Sequence, residues 1–274
     1  MKATSVFCAC LCLLSACTGL FGHDNRKGVS SSLVDFLYPY GDEPPKPAQT
    51  VPALELPIKV GLAFVPSRDS AGALTEAERI GLLNKVREHF SGRDFIAEIQ
   101  VIPEAYMRSG EGFQTLEQVA RLYDLDVMAL VSYDQVAHTA ERSASFLYWT
   151  IVGAYVVEGN KNDVNTFVDT AVFDVPTRKL LFRAPGVSEI KSTSTLVGVE
   201  SDMRAGQQKG FDEAMADMTV NLDKELDAFK DRIRRDQSVR VTHSSGYSGG
   251  GGGAGGLASL AALLVLVGMR RRMS

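Results

Sequence analysis

Residue types that could do chemistry are few in this chain, and most stand in poor surroundings for it. Cys8, Cys10, Cys12 and Cys17 are its only cysteines and fall within the first 17 residues. Three are spaced C-x-C-x-C, as metal ligands are, but they sit inside the apolar run Val6 to Leu14 and have no second ligand cluster. Of the four histidines, His23 and His243 fall in segments that read as tethers, and His89 lies beside the apolar face of a helix. His138, in SYDQVAHTAER, stands in a predicted loop beside a central strand, with Asp134 and Glu141 nearby. Such a trio suits a general base or a ligand site; the plainer alternative is a solvated loop between strands. Asp163, Asp169 and Asp174 read as turn and outer-face residues. Gly246-Tyr247-Ser248-Gly249-Gly250 satisfies G-x-S-x-G, yet a nucleophile elbow needs a strand before it and a helix after it. Here the serine stands in a glycine-rich tether. The glycines also meet G-x-G-x-x-G trivially, without the strand or acidic residue of a nucleotide site. No catalytic constellation, zinc spacing or P-loop emerges, so no cofactor or metal is expected.

The two ends carry the legible chemistry. Lys2 and the apolar residues after it form a predicted signal peptide over residues 1–16. It closes on Leu14-Ser15-Ala16-Cys17, which fits L-[AS]-[GA]-C and resembles a bacterial lipobox. The resemblance implies cleavage before Cys17 and acylation of its thiol, by signal peptidase and lipid-transfer machinery. The mature chain then keeps one cysteine, occupied by lipid, and has no disulfide. At the other end Gly249, Gly250, Gly251, Gly252 and Gly253 lead through Ala254, Gly255 and Gly256 into the apolar segment Leu257 to Met269. Arg270, Arg271 and Arg272 follow. The uncharged stretch reaches about 20 residues, enough for a bilayer crossing. Cationic flanks resist translocation, so the arginines should hold the extreme C-terminus in the cytoplasm and leave the rest on the far side. Each glycine costs about 1 kcal/mol relative to alanine in a helix, so the five together oppose helix formation by about 5 kcal/mol. That leaves extended backbone open to a protease.

Glycine cluster, short apolar helix and arginine cluster, in that order, resemble the GlyGly-CTERM sorting tail. In that family the tail is cut by rhombosortase, an intramembrane serine protease of the rhomboid class. A plain C-terminal anchor with a flexible lead-in is the alternative. A small-xxx-small pairing face fits less well, because these glycines precede the apolar helix. Lipobox and tail on one chain resemble the rhombotarget lipoprotein family. The resemblance implies an exported, membrane-anchored lipoprotein of a Gram-negative cell envelope, on the periplasmic side or at the surface.

Between these ends lies a chain able to bury a core: 274 residues, 45% of them hydrophobic. Its formal charge of −4 becomes about −8 once Lys2 and the three arginines are removed, with no basic footprint for nucleic acid. Residues 17–57 read as a proline-rich spacer, semi-rigid and extended. Leu33 to Leu37 offers one short helical turn within it. Residues 58–236 read as an α/β domain, 237–256 as a glycine-rich linker, and 257–274 as the transmembrane helix and arginine cluster. Ile58 to Val65 predicts a strand buried on both faces. Thr75-Glu76-Ala77-Glu78 and Thr115-Leu116-Glu117-Gln118 predict capping boxes. Ile96 to Ile102 and Val127 to Tyr133 complete a β-α-β-α-β half with parallel strands. Phe146 to Val157, Asn165 to Val175 and Lys179 to Arg183 predict an antiparallel meander, with turns at 158–163 and at Pro176. Phe211, Met215, Met218, Leu222, Leu226, Phe229 and Ile233 predict a long closing helix whose stripe is core. Ser192 to Ser201 reads as a loop. The domain is expected to bind or assemble with an envelope partner rather than catalyse. The alternative is an envelope hydrolase with its site around His138.

Overall fold

The computed structural model describes residues 25–39, 50–67, 74–141, 158–195, 199–236, 238–244 and 247. In chain order the elements are β1 (Asn25–Ser31), α1 (Leu33–Leu37), β2 (Ala53–Leu56), β3 (Ile58–Phe64), α2 (Glu76–Phe90) and β4 (Ile96–Val101). A 3₁₀ turn (Glu104–Met107), α3 (Phe113–Tyr123), β5 (Val127–Glu141), β6 (Glu158–Asp174), β7 (Lys179–Thr195), α4 (Val199–Asp236) and β8 (Arg240–His243) complete them. The main sheet runs β4-β3-β5-β6-β7, with β3 parallel to both β4 and β5 and the last two pairings antiparallel. The α/β half, the meander and the long closing helix expected from the sequence are all present.

Hydrophobic pattern explains the layering. Residues 127–131 of β5 are buried without a break, so this stretch is covered on both faces. On one face α2 and α4 close a core around Leu62, Phe64, Leu83, Val86, Tyr133, Phe211, Met215 and Met218. On the other, α1 and α3 close a second core around Val65, Met107, Leu116, Met128, Leu130 and Phe173. Further along β5 the burial alternates, with Tyr133, Gln135 and Ala137 inside and Asp134 exposed. Among the described residues, the sheet is covered there on the α4 side.

Close contact between α4 and the sheet depends on small residues. Gly206, Gly210, Ala214, Met218 and Leu222 recur every fourth position along the buried face of α4. A Cβ on Gly210 would stand 2.5 Å from Thr166 Oγ1, and one on Gly186 of β7 would stand 2.2 Å from the Ala214 carbonyl oxygen. Inside this seam Gln135 Nε2 donates to Thr166 Oγ1 (2.7 Å) and to the Gln207 carbonyl (2.9 Å).

Several elements differ from the sequence expectation. The segment read as a spacer, 17–57, contains β1, α1 and β2. β5 outruns β3, and β1 pairs antiparallel with the exposed edge of its second half, Asn25 opposite Thr139 and Ser31 opposite Tyr133. An unpaired edge is a liability that this pairing removes. At the other end of the sheet β8, within the expected linker, pairs in parallel with β2. The expected loop around His138 is a continuation of β5, and the expected turn at 158–163 is strand opposite it. Ser192 to Thr195 extends β7, and Val199 to Ser201 already belongs to α4.

The first capping box forms as expected, with Thr75 Oγ1 accepting from the Glu78 amide at 3.3 Å and Glu78 Oε2 from the Thr75 amide at 2.7 Å. The second does not. α3 begins three residues earlier behind Gly112, at φ 59°, where a Cβ would meet the Leu37 carbonyl at 2.2 Å. Thr115 is buried instead, accepting from the Glu111 amide and sharing a hydrogen bond with Ser109. Phe146 to Val157, Cys17 and residues 248–274 lie outside the described residues. Among those described, no helix is long and apolar enough to cross a membrane.

Candidate functional site

A cleft of about 810 Å³ opens at the C-terminal ends of the parallel strands β3 and β4. Open α/β sheets commonly bind ligands at that edge. Ser30, Ser32, Asp35 and Phe36 of the N-terminal segment line one side, and Pro66, Ser67, Leu74 and Thr75 of the β3–α2 connection another. The floor holds Glu76 and Arg79 from the first turn of α2, and Glu104, Met107 and Arg108 from the 3₁₀ turn and its end.

Two charges are buried here, Arg79 at 7% exposed and Glu104 at 5%. Arg79 Nη1 forms an ion pair with Glu104 Oε2 and approaches Glu76 Oε2 at 3.6 Å. Arg108 donates through Nε to Glu104 Oε1 at 3.0 Å, and the Glu104 amide donates to Glu76 Oε1 at 2.9 Å. Two guanidiniums and two carboxylates therefore cancel. They tie the start of α2 to the end of β4. Most hydroxyls of the cleft serve the local backbone. Ser67 Oγ donates to the Ser30 carbonyl, Ser32 Oγ caps α1, and Thr75 belongs to its capping box. Arg79 Nε has no hydrogen-bond partner among the described residues. Among the described residues no imidazole lines the cleft, and its hydroxyls and charges suit a polar ligand.

The structure separates the trio around His138. All three residues lie on β5, an extended strand. Four positions along a strand span about 13 Å, so Asp134 and His138 are spread along β5 rather than gathered in one loop. Asp134 stands opposite Phe167 of β6 and His138 opposite Asp163, which pairs in turn with Lys191 of β7. Lys191 is held above the usual lysine range, first by its hydrogen bond to Glu189 and also by Asp163 nearby. Glu141 ends the strand opposite Asn160.

Of the other residues singled out, His89 approaches Asp223 of α4 at 3.6 Å and His243 stacks on Tyr247. Asp163 is half-buried on the outer face, as expected. Asp169 and Asp174 are buried instead. Asp169 pairs with Arg183 at 3.1 Å, and Asp174 accepts from the amide and hydroxyl of Thr177 to shape the β6–β7 turn. Among the described residues no group of three or more metal-ligating side chains forms. Arg79 and Glu104 escaped the sequence reading. The one available signal was an arginine on the apolar stripe of α2, beside Leu82, Leu83 and Val86.

Fold and cleft together define a mixed α/β domain with a polar crevice at its strand ends. No protein-family model matches the chain, and no curated protein matches it. Among solved structures it is similar to the PelC dodecamer from Paraburkholderia phytofirmans, at 10% identity over 72% of this chain and 98% of that one, with a TM-score of 0.26. A putative neuraminyllactose-binding hemagglutinin homolog from Helicobacter pylori is similar at 10% identity over 69% and 95%, with a TM-score of 0.36. A hypothetical protein from Chlamydia trachomatis is similar at 12% over 64% and 95%, with a TM-score of 0.24. Scores and identities this low assign neither a family nor a function.

Proposed function

We propose that the chain is an exported lipoprotein acylated at Cys17, whose α/β domain binds or assembles with an envelope partner. Its C-terminal tail is released at Gly249 to Gly253 by a rhombosortase-type intramembrane protease. One observation supports this above the motifs themselves. The described fold begins at Asn25, eight residues after Cys17, and its last described residue is Tyr247, two before Gly249. Neither processing position lies within a described strand, so cleavage at either breaks no ladder of the described fold. A single acyl chain holds a protein only marginally and two or more hold it stably, so multiple acylation at Cys17 suffices once the tail is gone.

Intact-mass measurement of the mature protein from its native cell tests both ends together. The expected mass corresponds to a chain starting at acylated Cys17 and lacking Arg270 to Arg272. Cys17→Ser should abolish incorporation of labelled fatty acid. Undiminished labelling in that variant, or arginines retained in the mature wild type, overturns the corresponding half of the proposal. Replacing Gly249 to Gly253 by alanine or leucine should preserve insertion and topology while abolishing the cut.

A further inference from the structure

The two ends of the described fold leave from opposite ends of the sheet. Asn25 stands level with Thr139, far along β5. The other end is fixed where Ser244 donates its amide to the Leu56 carbonyl at 3.0 Å, just before β3. Val60 pairs with Val127, so Ile58 lies level with Leu125 at the start of β5. From Leu125 to Thr139 is fourteen strand positions, about 45 Å of strand. α4 spans the same axis, its start beside Ala137, Val164 and Ile190 and its Phe229 against Phe182 near the β6–β7 turn.

Resting on the lipoprotein reading above, we infer that the uncut chain is strapped to the bilayer at both ends of its long axis and lies along the membrane. Cutting the tail frees one end and lets the body swing upright. Chain length sets the limit. Cys17 to Asn25 is eight residues, which reach at most about 29 Å when fully extended. Tyr247 to Gly249, where the uncharged crossing stretch begins, is two residues, at most about 7 Å, and even counted to Leu257 the reach is at most about 36 Å. Standing the body on its Asn25 end raises the other end by about 45 Å, beyond the reach of the tail. Standing it on the Tyr247 end raises Asn25 beyond the reach of the lipid arm. Upright poses are closed to the uncut protein in both senses, while the cut protein keeps only the short arm at Asn25. Proteolysis then changes which surfaces face away from the bilayer, and the face of β5 to β7 that α3 leaves uncovered is among those released.

The test uses the full chain in liposomes, uncut from cells lacking the protease and cut from cells that have it. With Cys17 acylated, an introduced cysteine is the sole free thiol, so a fluorophore is placed by Glu200→Cys at one end or Ser238→Cys at the other. Both positions are exposed. Quenching by headgroup-labelled lipid reports distance from the bilayer. Uncut protein should quench at both positions; on cutting, quenching at position 238 should fall at least twofold and that at position 200 should persist. Twelve Gly/Ser residues inserted after Tyr247 should lower quenching at position 238 in uncut protein as well. Equal quenching at position 238 in cut, uncut and lengthened chains overturns the strap while leaving the lipoprotein reading intact. Absence of lipid at Cys17, or extraction of uncut Cys17→Ser protein by alkaline carbonate, overturns the reading and the strap together.

Discussion

Arg79 and Glu104 form a buried ion pair, and each is a buried charge that depends on the other. Breaking a buried pair leaves a charge without compensation and costs about 3–5 kcal/mol, whereas removing both partners is often close to neutral. Arg79→Met and Glu104→Leu should each lower the urea midpoint sharply, and the double variant should recover much of the loss. A double variant as unstable as the sum of the singles would show that the two side chains act independently. The same substitutions probe the cleft, because a ligand held by the Arg79 guanidinium would lose affinity even in the stable double variant. At His138 the expectation is the reverse. Asp134, His138 and Glu141 are strung along one strand, so replacing all three together should leave a binding phenotype largely intact. Its abolition, with folding unchanged by circular dichroism, would favour the hydrolase alternative.

Among the elements, α4 shows how glycine can either weaken a helix or make it fit. Gly81 in α2 has nothing within 4 Å of the place a Cβ would occupy. Gly81→Ala should therefore stabilise the protein by about 1 kcal/mol, the ordinary helix-propensity difference. Gly186→Ala drives a methyl into the Ala214 carbonyl and the Met218 amide, both backbone atoms of α4. Overpacking of this sort costs about 1–3 kcal/mol or more, since the whole helix must lift. Thermal melts of the two variants should move in opposite directions. A Gly186→Ala protein that melts with the wild type would mean that α4 sits further from β7 than described. The heptad-like stripe of α4 was legible from Phe211 onwards because large apolar residues mark it. Its first turns were not, because there the buried positions are Met203, Gly206 and Gly210, and a glycine leaves no hydrophobic signal.

For the whole molecule, the folding unit is wider than the periodic segments suggest. A protein trimmed to 58–235 keeps every strongly patterned element but loses β1 from the edge of β5, α1 from the second core, and the β2–β8 pair. It should unfold at lower urea than a chain spanning 25–247 and self-associate through the bared strand edge. Neither should respond to a chelator. Equal stability of the two would make the N-terminal strand an ornament of the fold. The parallel β-α-β-α-β half and the closing helix were determined by local sequence, since each is written in contiguous residues: a capping box, an apolar period. Tertiary structure alone decided the rest. NRKGVSS is a strand because β5 outruns β3 and leaves an edge to fill; His138 is spread along a strand rather than gathered in a loop; Arg79 and Glu104 meet across 25 residues of chain. In each case the deciding partner is distant in sequence, and no local pattern encodes it.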